Sequence, residues 1–205
     1  MTPASRGLLM SVLLPLCLLA AGPAMADEID AQMERGRRLY QEGKLGEALE
    51  AVEVASTLMR QKKAEAMQAV FPDPPPGWTA DQAQSQAVAK VFMGGGITAS
   101  RLYRQRGDKG RVKLEVVSDS PLMQGVALLL TNPLLVQSAP GAKLIRLGQD
   151  NALLTSHGES RAEVQMVVDG RLLVRAEASG LERAAETAKE FATRLDLERL
   201  RRLAR

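Results

Sequence analysis

The stretch of sequence that decides the fold is residues 161–178, RAEVQMVVDGRLLVRAEA. It contains two apolar segments, 161–169 and 171–178, which have the length and composition of β-strands. Between them, Asp169-Gly170 is the two-residue signal for a tight hairpin turn. Consecutive strands joined by short turns form antiparallel sheets, so this stretch predicts one hairpin of an antiparallel sheet.

Further strands are predicted upstream of this hairpin. Val112, Leu114 and Val116 alternate with polar residues, and the Gly-Asp-Lys-Gly sequence at 107–110 is typical of a turn before them. The additional predicted strands are residues 98–105, 111–118, 143–147 and 152–156. The sequence therefore predicts an antiparallel sheet of about six strands.

Helices are predicted between and after these strands. Thr79 with Gln82, and Ser179 with Glu182, have the spacing of capping boxes, which start helices. The predicted helices are residues 79–94, residues 122–130 and a final helix after Ser179. The final helix carries one apolar stripe, formed by Leu181, Ala184, Ala188, Phe191 and Leu195. Because apolar helices must cover one or both faces of a sheet, the predicted fold class is α+β.

The predicted α+β domain spans residues 78–205, with Trp78 as an anchor in its core. Its order of elements over residues 77–197, with a Pro-Gly-Trp opening, an early hairpin and a closing helix, resembles the PsbP-like and DcrB-like proteins of the envelope and lumen. That resemblance implies an exported accessory or binding module without known catalysis.

A helical hairpin is predicted for residues 27–71, before this domain. Its first helix carries an apolar stripe at intervals of a helical turn, Gly43-Lys44 breaks it, and a second helix starts at Leu45. The stripe consists of Ile29, Met33, Gly36 and Tyr40. Residues 72–77, PDPPPG, follow as a semi-rigid linker, because consecutive prolines hold an extended path.

This hairpin resembles the tetratricopeptide repeat. The matching positions are Gly36, Leu39, Gly43, Leu45, Ala48, Leu49, Val52 and Ala55. It departs from the repeat at Arg35, where an apolar residue is usual, and no proline follows near Arg60. The sequence contains one copy, which cannot bury its own apolar face. The resemblance implies a hairpin that docks on the rest of the chain or on a partner; an ordinary helix pair with small residues at its contacts is the alternative.

Residues 1–26 are predicted to be a cleaved signal peptide. Arg6 precedes an apolar run from Leu8 to Ala21, and Ala24-Met25-Ala26 presents small residues to a signal peptidase. Leu16 is large where lipoprotein signals carry a small residue before the cysteine, so a lipoprotein is not expected. The predicted location is the periplasm, with a mature chain that lacks the single cysteine.

The composition leaves little for catalysis. The only histidine, His157, lies between predicted strands on a polar turn, where Ser156 and Ser160 could form a triad only with residues brought from elsewhere. Gly94-Gly95-Gly96 follows a predicted helix and is not followed by the lysine of a phosphate-binding loop. One His and one Cys cannot supply a zinc site. We therefore predict no enzyme, no metal and no cofactor.

Charge also bears on the choice of partner. The chain has 27 Lys and Arg against 24 Asp and Glu, a net charge of +3, and only 3% aromatic residues. Nucleic-acid binding needs a larger basic excess and exposed aromatics, so it is not expected. Basic residues gather on the hairpin at 101–113 and at the chain end, 199–205. Anionic lipid headgroups or an acidic partner would suit them, although charged edge strands also prevent aggregation.

The predicted function is that of a non-catalytic, exported accessory or protein-interaction protein of the cell envelope. The alternative is a periplasmic carrier of an apolar or lipid-like ligand, held between the helix at 122–135 and a sheet strand at Met166. The expected partners are an envelope protein, or else an apolar ligand or an anionic membrane surface. The candidate surface residues are Leu39, Tyr40, Val52, Phe92, Met93, Leu122 and Met123.

Overall fold

The computed structural model describes residues 24–88, 96–107, 109–120 and 122–204. The chain divides into two compact units, residues 1–55 and 56–205. Within the described ranges, no helix combines the length and the apolar character needed to cross a bilayer. Residues 1–23 of the predicted signal peptide lie outside the described residues.

The first unit contains the predicted helical pair. Helix α1 spans Ala24–Gln41, and α2 spans Leu45–Gln68, of which the part up to Ala55 belongs to this unit. Between them Gly43 adopts a φ of 76°, and its amide donates to the Tyr40 carbonyl at 3.1 Å. The break predicted at Gly43-Lys44 is therefore confirmed, since glycine accepts this left-handed backbone without strain.

Small residues bring α1 and α2 together. A Cβ atom placed on Gly36 would lie 3.0 Å from Cγ2 of Val52 and 3.4 Å from the carbonyl oxygen of Ala48. Ala51 and Ala55, on the same side of α2, are buried. The glycine is thus required by the close approach of the two helices, as small-to-small contacts allow.

The second unit is built on one sheet of eight strands, all paired antiparallel. The strands are β1 (Trp78–Ala80), β2 (Gln84–Val88), β3 (Gly96–Gln105), β4 (Arg111–Ser118), β5 (Ala142–Leu147), β6 (Asp150–Ser156), β7 (Arg161–Val168) and β8 (Leu172–Ser179). Their order is β1-β3-β4-β8-β7-β6-β5, and β2 also pairs with β3. The predicted α+β class and antiparallel sheet are confirmed.

The helix predicted for residues 79–94 is wrong over the part that the structure describes. Residues 78–80 and 84–88 form β1 and β2, whereas 89–95 lie outside the described residues. Both strands pair along β3, with Gln84 opposite Ser100 and Val88 opposite Gly96. The backbone hydrogen bonds offered by β3 outweigh the weak helical preference of this short, polar segment. These strands raise the sheet from the predicted six to eight.

Four further helices follow the early strands. They are α3 (Leu122–Thr131), α4 (Pro133–Gln137), α5 (Ala184–Thr193) and α6 (Leu197–Ala204). The predicted apolar stripe of the final helix is buried, Phe191 among it. The predicted capping box is wrong, because α5 begins after Arg183 without a side-chain cap. Ser179 instead ends β8, where its hydroxyl accepts a hydrogen bond from Nε of Arg111 at 2.9 Å.

One face of the sheet carries the main core. Helices α5 and α6 and the end of α2 pack on it, and Trp78 and Tyr103 each meet Phe191 edge-on with ring centres 4.9 Å apart. Met67, near the end of α2, is fully buried in this cluster. The end of α2 thus belongs to the second unit, which begins at Ser56.

Among the described residues, helices α3 and α4 contact the other face of the sheet. Helix α3 contacts β6 and β7, and α4 contacts β5. Val126 and Val136 are the buried residues of these helices, and Leu153 and Leu173 are buried outside the main core cluster. The helices α3 and α4 therefore rest on the sheet through a small apolar contact and leave most of their own surface open.

Candidate interaction surfaces

The residues predicted as a partner surface fall on both units. In the first unit Leu39 is half-buried, whereas Tyr40 and Val52 are exposed. In the second, Leu122 is exposed and Met123 half-buried. Phe92 and Met93 lie outside the described residues. Each unit therefore presents a surface of its own.

The first surface is an apolar stripe on the helix pair. It consists of Met33 (52% exposed), Tyr40 (68%), Leu45 (58%), Leu49 (70%) and Val52 (53%), and we call it the helix-pair stripe. A spacing of seven residues on α1, and of four and three on α2, places its members on one side of each helix. Tyr40 and Val52 were predicted as surface residues, whereas Leu45 and Leu49 were matched to positions of a tetratricopeptide repeat.

The charged neighbours of the helix-pair stripe pair with one another. Arg37 donates to Glu34 at 2.8 Å, and Lys44 lies 2.8 Å from Glu42. The hydrogen bond from Arg37 lowers the pKa of Glu34, and that from Lys44 lowers the pKa of Glu42. Exposed pairs of this kind contribute little to stability. They satisfy the charges locally and leave the apolar side chains in contact with solvent.

The second surface lies on α3, α4 and the adjacent edge strand. It consists of Leu122 (61% exposed), Leu128 (57%), Leu134 (74%), Leu135 (38%) and Leu144 (37%), and we call it the α3–α4 surface. No Asp, Glu, Lys or Arg occurs between Ser120 and Ala142. Of these leucines only Leu122 was predicted as a surface residue, although an uncharged run longer than one buried helix face indicates exposed apolar residues.

Local hydrogen bonds fix the bend between the two helices. The side chain of Asn132 accepts from the amide of Leu134 at 3.2 Å and caps α4, with Pro133 in its first turn. Thr131 donates its hydroxyl to the carbonyl of Ala127 at 3.0 Å. These bonds satisfy polar backbone groups at the bend between α3 and α4. The exposed leucines lie on either side of this bend.

Met166, expected to line a cavity with residues 122–135, is packed in the main core. Met166 is fully buried in the main core cluster, together with its β8 partner Val174, whereas Val126 of α3 is outside that cluster. Successive side chains of a strand point to opposite faces of the sheet. Met166 points into the main core and therefore faces away from α3. Two described clefts, of about 760 and 280 Å³, lie instead against the ends of β4 and β8; their lining includes Leu181 and Leu102.

His157 lies on an exposed turn between β6 and β7, as predicted. Its backbone amide donates to the carbonyl of Arg161 at 2.8 Å, and Ser160 beside it is also exposed. Across the ranges that the structure describes, no three His, Cys, Asp or Glu side chains are grouped so that they could hold a metal ion.

Several of the basic side chains noted in the sequence have internal partners. Arg101 donates to the carbonyls of Pro72 and Asp81, both at 3.0 Å, and Arg104 forms a short ion pair with Asp81. That pairing raises the pKa of Arg104. Near the chain end, Arg201 bridges Asp150 at 2.6 Å and Asp169 at 3.0 Å. These cations are paired within the fold.

Comparisons with protein-family models, with curated proteins and with solved structures found no match to this chain. The resemblances to the tetratricopeptide repeat and to the PsbP-like and DcrB-like proteins therefore stay predictions.

Proposed function

We propose that this chain is a non-catalytic, exported accessory protein of the cell envelope that binds a protein partner through the helix-pair stripe. The observation that carries the proposal is the exposure of its members, from 52% for Met33 to 70% for Leu49, on one side of each of two packed helices. Contiguous exposed apolar residues bordered by charges are typical of protein contacts.

The chemistry of the stripe suits a specific contact. Tyr40 combines a large apolar ring with a hydroxyl, and tyrosine is enriched among the residues that dominate binding energy. Leu45 and Leu49 supply aliphatic area on the neighbouring helix, and burying such side chains is worth about 1.5–3 kcal/mol each when complete. A single tetratricopeptide-like unit also needs a neighbour to cover its apolar face.

An apolar-ligand carrier is the weaker candidate. Its predicted cavity would need Met166, which is packed in the main core. The leucines of the α3–α4 surface are open to solvent and do not line a described cleft.

The proposal is tested by purifying the chain from its host under mild conditions and measuring the molar mass of the complex by light scattering. The Leu45→Gln/Leu49→Gln variant should lose its companion protein, because Gln keeps the helix but removes apolar area. The matched control is Leu128→Gln/Leu134→Gln, whose leucines are equally exposed at 57% and 74%. It should keep the companion. A companion that survives the first pair of substitutions, or no companion with the wild-type chain, would contradict the proposal.

Export is tested separately by sequencing the amino terminus of the chain that accumulates in the host. Small residues at 24 and 26 predict cleavage after Ala26 and a new terminus at Asp27. Recovery of the chain from the cytosol with Met1 or Thr2 at its start would refute export without bearing on the contact surface.

A further inference from the structure

We propose that the α3–α4 surface binds a phospholipid membrane that contains anionic headgroups. This inference is independent of the proposed protein contact, because it concerns other residues of another unit. It starts from the exposure of Leu128 (57%) and Leu134 (74%) on helices that carry no charged residue. Side chains of this kind on a short surface helix can enter the boundary between headgroups and acyl chains.

The charges beside the leucines favour anionic lipid. Between Asp119 and Asp150 the sequence contains no carboxylate, and its only charged residues are Lys143 and Arg146. Both are exposed on β5, the last strand in the sheet order, and α4 packs on this strand. Arg146 shares the face of β5 that carries Leu144, whereas Lys143 lies on the opposite face with Ile145. Neither forms an ion pair with another described residue. Exposed apolar residues next to an unpaired cation suit a membrane surface, where negatively charged headgroups lie over apolar acyl chains.

The geometry points to contact with the membrane surface. Helix α3 has 10 residues and α4 has 5, so neither approaches the length needed to cross the hydrocarbon core. Leu144 and Arg146 lie on the same face of β5, since residues two apart point to the same side. Leucine and cation are therefore presented together at the edge of the sheet.

A second copy of the chain is a less suitable occupant. A twofold contact would bring the same leucines together, but it would also bring the Arg146 side chains of both copies together, with no carboxylate from this segment. Like charges at a desolvated contact are unfavourable. An anionic lipid surface meets the leucines and Arg146 at once.

The test is flotation of the chain, purified in the form in which it accumulates in its host, with vesicles of phosphatidylethanolamine and phosphatidylglycerol at three to one. The Leu128→Gln/Leu134→Gln variant should bind at least about tenfold more weakly, because two exposed leucines no longer enter the bilayer. The matched control, Leu45→Gln/Leu49→Gln, should float as the wild type does. The control also separates this inference from the proposed function, since it should lose the companion protein and keep the vesicles.

Charge is tested with Arg146→Gln, and Lys143→Gln, on the opposite face of β5, is the control. A basic residue near an anionic surface strengthens binding about fivefold, so the Arg146→Gln variant should bind about fivefold more weakly and the control should bind nearly as the wild type does. Vesicles of phosphatidylcholine alone should bind the wild type and the Arg146→Gln variant alike. Circular dichroism and Trp78 fluorescence establish that every variant is folded.

The inference is overturned if the wild type does not float, or if the α3–α4 and control substitutions weaken flotation equally. It is also overturned if Leu128→Gln/Leu134→Gln converts a wild-type dimer into a monomer while flotation is unchanged, because the surface would then be a contact between copies.

Discussion

At the scale of single residues, Tyr103 joins the sheet to the segment after α2. Its hydroxyl donates to the carbonyl of Pro72 at 2.8 Å, and the same carbonyl accepts from Arg101 at 3.0 Å. Burial raises the pKa of Tyr103 to about 12, although the neighbouring Arg101 favours the phenolate. The ring is fully buried against Phe191. The Tyr103 side chain thus packs in the core, donates a hydrogen bond to a backbone carbonyl and has a raised pKa.

Replacing Tyr103 with Phe removes this hydrogen bond and the ionisable hydroxyl. We expect the free energy of unfolding to fall by about 1 kcal/mol at neutral pH, because Arg101 still satisfies the Pro72 carbonyl. The contribution of Tyr103 to the free energy of unfolding is complete below pH 10, its ordinary pKa. This contribution is lost as the pH rises towards about 12, because Tyr103 ionises at a lower pH in the unfolded chain than in the folded one. Urea unfolding of both proteins across this range should show the wild-type advantage shrinking. A constant difference up to pH 12 would show that the pKa is not raised.

At the scale of elements, the contact between α1 and α2 depends on the missing side chain of Gly36. Gly36→Leu should force the helices apart at Val52 and destabilise their contact by about 1–3 kcal/mol. Gly46, in the same unit, is the matched control, because a Cβ atom there meets nothing within 4 Å. Hydrogen exchange of the α1 amides should accelerate with Gly36→Leu and stay near wild type with Gly46→Leu. Equal exchange in both variants would contradict the packing described for this pair.

Helix α3 offers a stabilising substitution. Gly125 lies within it, and nothing within 4 Å would meet a Cβ atom placed there. Gly125→Ala should raise the free energy of unfolding by about 0.5–1 kcal/mol, because Ala loses less backbone freedom than Gly in a helix. Chemical denaturation measures the change. A loss of stability would indicate that Gly125 contacts another part of the chain.

Strong local patterns account for the elements that were predictable. Strand β4 occupies the predicted residues 111–118, and α3 begins at the predicted Leu122, because clear alternation or a proline-bounded apolar run specifies each. Strand β2 was missed because Gln84–Val88 is short and gains its stability from pairing with β3. Local sequence does not report such pairing.

At the scale of the whole molecule, the candidate surfaces were harder to predict than the fold. Tyr40 and Val52, predicted as surface residues, are exposed, whereas Leu49, which matches a position of the tetratricopeptide repeat, is 70% exposed although it was not predicted as a surface residue. Amphipathic spacing shows that a residue lies on an apolar stripe. It does not show whether another element covers the stripe, which depends on residues far away in sequence.

The two proposed interaction surfaces lie on different units of the chain. The helix-pair stripe is offered to a protein and the α3–α4 surface to a lipid boundary, so one chain could hold a partner at a membrane. The paired leucine variants make these roles separable, because each pair should abolish one interaction and spare the other.

The most direct measurement places a photo-crosslinking amino acid at Leu49, and in a second strain at Glu50, in living cells of the host. Consecutive residues of a helix point about 100° apart, so Glu50 controls for position along α2. We predict one discrete adduct from Leu49, lost when Leu45→Gln is added, and none from Glu50. The same adducts from both positions, or none from Leu49, would contradict the central claim that the helix-pair stripe binds a partner.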